Sequence, residues 1–145
     1  MWDVIRVSYL AQGLSDEDVD KIVEIARELT FSNGQYVVRA DDDNHDLYIV
    51  LEGVTSIETP SGEVIAKVGS GRLIGEVALI DDKPRSATVV SLGRSRLAAL
   101  PADDLRRLMS ERPIMAVGIL TNIARTLSER LRQANLQIES LLDLD

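Results

Sequence analysis

The chain contains no cysteine, which excludes disulfide bonds, thiolate zinc sites and cysteine nucleophiles together. It has one histidine, His45, so neither a histidine metal cluster nor a Ser-His-Asp set can be assembled without that residue. Aromatic residues make up only 3% of the sequence. No apolar run approaches the ~20 residues that a membrane-spanning helix requires. The opening MWDVIRVSYL lacks a basic n-region and a small-residue cleavage site, so no secretory leader is expected. These absences predict a soluble cytoplasmic protein with no metal, no cofactor, no membrane segment and no catalytic constellation.

What is present fits one domain with a real core: 145 residues, 45% of them hydrophobic. The net charge of −8 is unevenly spread. Residues 1–93 hold 8 basic and 17 acidic residues, whereas 94–145 hold 8 basic and 7 acidic. The acidic first part repels nucleic acid. The basic residues of the second part read as ion pairs on helix faces rather than as a phosphate patch.

Leu14-Ser15-Asp16-Glu17-Asp18 opens a helix, with Ser15 as N-cap and Asp18 three positions on. Val19, Ile22, Val23, Ile25, Ala26 and Leu29 follow at helical spacing and carry it to Thr30. From Tyr36 the period changes. YVVR, LYIVL, VTSIET, EVIAKV, SATVVSL and SRLAAL are β-prone runs separated by Gly-, Pro-, Asn- and Asp-rich turns. The acidic loop Asp41-Asp42-Asp43-Asn44-His45-Asp46 lacks spaced calcium ligands and reads as a solvated turn, with His45 at the surface. Past Leu100 the helical period returns: Pro101 suits a first turn, Asp103 and Asp104 favour an N-terminus, and Pro113 opens a long helix. Its apolar positions Leu120, Ile123, Leu127, Leu131, Ala134, Ile138 and Leu141 approach a heptad seam. The fold class predicted is α+β: a jelly-roll-like antiparallel β-roll of about eight strands with an N-terminal helix and two C-terminal helices. One domain covers 1–145, with a helical segment at 1–30, the roll at 31–100 and helices at 101–145.

The chemistry concentrates in LIGEVALIDDKPRSATVV, Leu73 to Val90. Gly75 can take a backbone geometry other residues avoid. Glu76 to Ile80 is long enough for one helical turn, and a short helix after glycine exposes free N–H groups and a positive dipole end. Pro84 keeps Lys83 out of the α region, so the turn ends near Asp82. Arg85 then enters the next strand. If that strand runs beside the short helix, a guanidinium and several N–H groups converge on one anion. A carboxylate does not help to hold a phosphate unless it accepts from a hydroxyl on the same ligand. A phosphate next to a sugar hydroxyl satisfies all three groups. The competing readings are an Arg85–Glu76 ion pair with no ligand, and for Glu76 alone a charge at a helix N-terminus.

Gly75-Glu76-Val77-Ala78-Leu79 followed by Pro84-Arg85-Ser86-Ala87-Thr88-Val89 resembles the cyclic-nucleotide-binding domain family. That family includes the bacterial catabolite activator and the regulatory subunit of cyclic-AMP-dependent protein kinase. The resemblance extends through Leu47-Tyr48-Ile49-Val50-Leu51-Glu52-Gly53 and the capped helix at Leu14-Ser15, and its phosphate-binding cassette spans 74–88. It implies that Glu76 accepts from the ribose 2′-hydroxyl and that Arg85 pairs with the cyclic phosphate. The N–H groups of Val77, Ala78 and Ala87 would complete the cradle, and the Ser86 hydroxyl would reach the phosphate or the base. The long helix would close over the base. The chain departs from the family in having Ile74 where an aromatic is common, no aromatic in the last helix, and Asp41-Asp42-Asp43-Asn44 in place of a glycine-rich turn, with αL expected at Asn44.

The function expected is non-catalytic: a regulatory domain that binds cyclic AMP in preference to cyclic GMP. The alternatives are a cyclic GMP sensor, the sensor part of a transcription regulator without its DNA reader, and a ligand-free dimerisation module. No helix-turn-helix follows the long helix, so direct DNA binding is not expected. The seam predicts a homodimer through the C-terminal helix. That arrangement resembles the catabolite-activator branch and would place Thr126 and Arg130 near the base, with Gln133 or Asn135 from either subunit. The sequence names no downstream protein partner.

Overall fold

The computed structural model describes residues 1–81 and 83–143. Two helices, α1 (Trp2–Val7) and α2 (Asp16–Ile25), precede six strands. The strands are β1 (Arg27–Phe31), β2 (Tyr36–Val38), β3 (Leu47–Glu58), β4 (Val64–Val68), β5 (Leu73–Ile74) and β6 (Thr88–Leu100). A short helix, α3 (Glu76–Ile80), sits between β5 and β6, and α4 (Ala102–Glu111) and α5 (Pro113–Leu142) close the chain. Every strand pair is antiparallel; the sheet order is β1-β6-β3-β4, with β2 on β6 and β5 on β3.

Ser15 caps α2, its hydroxyl accepting from Asp18 N–H. The Asp18 carboxylate does not turn back to complete a capping box. It accepts two bonds from Arg112, at 2.9 and 2.8 Å, and ties α2 to the α4–α5 junction. The helix also stops earlier than its periodicity suggests. Residues 27–31 leave the helical pattern and pair with β6, Arg27 opposite Ala99 and Phe31 opposite Ser95. A partner strand some 70 residues away overrides a local propensity that is worth only tenths of a kcal/mol per residue.

Strand count falls below eight because two predicted turns are bends within long strands. LYIVL and VTSIET fuse across Gly53 into β3, and SATVVSL and SRLAAL fuse across Gly93 into β6. Gly53 has φ +94°, and a Cβ there would lie 2.6 Å from the Arg94 carbonyl oxygen, so only glycine lets the two strands bend together. The left-handed residue of the acidic loop is Asp41, φ +70°, and not Asn44.

LYIVL is buried throughout because both of its faces are covered. Leu47, Ile49 and Leu51 meet the helices, while Tyr48 and Val50 fill the roll interior. In β6, Ala98 and Leu100 face the helices and Leu97 and Ala99 the interior. The first half of α5 packs on the helical core through Met115, Ile119 and Ile123, all but fully buried. Ile123 therefore belongs to the core and not to the seam. An apolar stripe runs instead through Val117, Leu120, Ala124, Leu127, Leu131, Ala134, Ile138 and Leu141, exposed to solvent except at Leu127, which is half-buried against the core. Leu131 and Leu141 are 63% and 68% exposed. These positions alternate by three and four residues without a break, a stricter heptad than the sequence reading drew.

Candidate functional site

β5 ends at Ile74, held in the interior beside Tyr48 by the pairing of the two residues. Gly75 follows with φ +83°, and a Cβ there would collide with the Arg85 guanidinium. Glycine is thus required twice at this position, for the turn and for the approach of Arg85. α3 begins immediately, its first-turn N–H groups lacking intrahelical acceptors. It ends at Ile80 with Asp81 as C-cap; Asp82, the predicted end of the turn, lies outside the described residues. Arg85 is not yet in a strand. It sits in the segment leading to β6, bound through its main chain to the acidic loop: Arg85 N–H to Asp42 O at 3.0 Å, and Asp41 N–H to Arg85 O at 2.8 Å.

A cavity of about 230 Å³ opens here. Gly75, Glu76, Val77, Ala78, Arg85, Ser86, Ala87 and Arg130 all line it. Val38, Ile57, Ile74 and Val89 supply an apolar wall, and Asp81, Lys83 and Pro84 also line the cavity. Sequence reasoning missed this wall; its only trace is the β-alternation of these residues.

Arg85 is 5% exposed and Glu76 is 1% exposed. They do not form the ion pair considered above. The Arg85 guanidinium donates to Asp46 O at 2.6 Å, to Asn44 Oδ1 at 3.3 Å and to Gly75 O at 3.4 Å. Burial, the largest influence, pulls its pKa below the ordinary arginine value; the Tyr48 hydroxyl, Asp46, Asp42 and Glu76 oppose that. Burial likewise raises Tyr48, reinforced by Asp46. Glu76 is instead paired with Arg130 of α5, which also donates to Leu73 O. Through this pairing a second guanidinium balances the charge of the carboxylate. Among the buried side-chain atoms left without a partner in the described residues, two belong to this site, Arg85 Nε and Glu76 Oε2. An unpaired buried polar atom is costly, and a ligand offering an anion and a hydroxyl would satisfy both.

Thr126 does not join the cavity. Its hydroxyl donates to Asn122 O at 3.2 Å, and the residue lines a separate groove with Tyr9, Gln12 and Asn122. It sits a full turn before Arg130, and its short side chain cannot span the gap that the arginine crosses. His45 is half-buried, with Nδ1 unpartnered, rather than fully at the surface. Of the basic residues of the second part, Arg107 pairs along its helix with Asp104 at 2.9 Å as expected, whereas Arg112 and Arg130 pair across elements, with Asp18 at 2.8 Å and with Glu76. No described helix is long and apolar enough to cross a membrane.

Comparison with known proteins gives a consistent result. The sequence model of the cyclic nucleotide-binding domain matches residues 28–112. The chain is 32% identical over 141 residues to the cyclic AMP receptor protein of Thermus thermophilus, covering 94% of this chain and 63% of that one. It spans 21% to 33% of several longer curated relatives. Among solved structures, the N-terminal domain of a transcriptional regulator from Streptomyces coelicolor superposes with TM-score 0.76 at 34% identity, over 88% of this chain and 94% of that one. The regulatory domain of Toxoplasma gondii PKA, crystallised with cAMP, superposes with TM-score 0.75 at 25% identity, over 88% of this chain and 48% of that one.

Proposed function

Because the chain belongs to the cyclic nucleotide-binding domain family, we propose that it binds a cyclic purine mononucleotide, cyclic AMP before cyclic GMP, as a non-catalytic sensor. One observation carries the reading: Arg85 and Glu76, both buried, face one cavity with one unpartnered atom each. In this reading the phosphate takes the Arg85 guanidinium and the N–H groups at the start of α3, and the ribose hydroxyl donates to Glu76 Oε2. The base lies along the apolar wall beneath α5. The preference for cyclic AMP is supported by the relative that is a cyclic AMP receptor. Ligand and helix are linked because Arg130 of α5 holds the same carboxylate that reads the sugar.

The second part of the proposal is a parallel homodimer through α5. The stripe puts Val117, Ala124, Leu131 and Ile138 at one core position of the heptad and Leu120, Leu127, Ala134 and Leu141 at the other. β-Branched residues at the first with leucine at the second favour two parallel strands. From Val117 to Leu141 the stripe runs about 36 Å, too long an apolar face to leave wet. Calorimetric titration with cyclic AMP, cyclic GMP and linear AMP tests the ligand. Saturable heat with a cyclic nucleotide and none with linear AMP is expected; no heat with any of them refutes the reading.

A further inference from the structure

Residue 46 holds the site with its main chain and a distant helix with its side chain. Its carbonyl accepts from Arg85 Nη2 at 2.6 Å, the shortest bond the guanidinium makes. Its N–H donates to Asn44 Oδ1 at 2.7 Å, an oxygen that also accepts from Arg85. Its carboxylate Oδ1 meanwhile accepts from the N–H of Ala102, the first residue of α4, at 3.0 Å. That helix has Pro101 at the N-cap and no cap from its own side chains, so Asp46 supplies from 56 positions away what Ser15 supplies locally to α2. The link exists because Leu47 pairs with Leu100, which brings the ends of β3 and β6 side by side.

We infer that Asp46 is a positioning residue that carries the engagement of Arg85 to α4, the helix leading directly into α5. The inference rests on the reading of Arg85 as the phosphate ligand. A neutral carbonyl and an amide oxygen hold the guanidinium in this structure. A phosphate oxygen is charged and accepts more strongly than either, so an anion in the cavity competes for Nη2. When it wins, the Asp46 carbonyl loses its donor, and the Asp46 peptide is free to turn. The carboxylate on the same residue turns with it and loosens the cap on Ala102. No residue of α4 lines the cavity, so a bound nucleotide has no direct contact through which to produce that effect.

The test is amide hydrogen exchange at residues 102–104, with and without saturating cyclic AMP, in wild type, Asp46→Asn and Asp46→Ala. Both variants keep the main-chain carbonyl, and only alanine removes the capping acceptor. In wild type, cyclic AMP should speed exchange about tenfold, the size of one lost cap. Asp46→Asn should keep a reduced effect. Asp46→Ala should exchange fast from the outset and show no further change, and by linkage it should bind the nucleotide about tenfold more tightly, because binding no longer has to loosen the cap. A residue that served only to stabilise α4 would shift exchange equally in both states. A nucleotide effect of full size in Asp46→Ala, or none in wild type, overturns the inference. If the alanine variant does not fold, Asp46→Asn decides, and an effect equal to wild type overturns it. Titration heats on the same samples separate the two proposals. Binding without the exchange change removes this inference alone, and absence of binding removes it together with the nucleotide reading.

Discussion

Replacing Arg130 by methionine keeps most of the aliphatic stem and removes the charge that faces Glu76. The carboxylate is 1% exposed and would lose the guanidinium it is paired with. Removing one member of a fully buried ion pair costs about 3–5 kcal/mol. The Arg130 side chain keeps 29% exposure, so solvent already screens part of the pair and roughly 2–3 kcal/mol is expected. For a chain of this length that lowers Tm by roughly 6–12 °C. Glu76→Gln in the Arg130→Met background should restore a large part of the loss, because a neutral amide no longer strands a buried charge. The four proteins form a double-mutant cycle, measured by urea unfolding at one fixed protein concentration, with an expected coupling of about 1–2 kcal/mol. Additive effects, or a loss below about 0.5 kcal/mol for Arg130→Met, would show that the helix does not depend on this pair and would remove the proposed link between α5 and the sugar site.

Arg85→Ala should weaken cyclic AMP binding about ten- to hundredfold, because the phosphate loses its charge-assisted donor; an unchanged dissociation constant by calorimetry contradicts the site. The 2′-deoxy analogue should bind roughly 1–3 kcal/mol more weakly than cyclic AMP in wild type, and Glu76→Gln should narrow that gap. Equal affinity of wild type for both ligands would leave Glu76 with a role in the fold only. Leu131→Asp with Ile138→Asp should convert the protein from about twice its 16.0 kDa chain mass to the chain mass in light scattering. Both side chains are more than half exposed within one chain, so the monomer should keep its far-ultraviolet spectrum. A wild type that already runs as a monomer at tens of micromolar would refute the dimer.

The sequence by itself determined the features that depend on neighbours along the chain. Ser15 set the start of α2, Pro113 the start of α5, and Gly75 with Glu76 the turn and short helix of the cassette. Period-two and period-3.6 patterning separated the roll from the helices. The spacing from Gly75 to Arg85 was enough to nominate both residues, because a glycine turn, a helix start and a lone buried arginine have few other uses together. The tertiary structure decided whatever depended on distant residues meeting. Residues 27–31 are a strand because β6 offers them hydrogen bonds. Gly53 and Gly93 bend strands instead of ending them, because β3 and β6 stay paired on both sides of the bend. Ile123 lies in the core and Ala124 in the stripe because the packing of α5 on the roll sets the helix's rotation, which a heptad count leaves uncertain by about one position. Arg85 rests on Asn44 and Asp46, and Glu76 on Arg130, 54 residues away. A guanidinium can be satisfied by any acceptor within reach of a long flexible stem, and local spacing carries no information about which acceptor the fold will bring there.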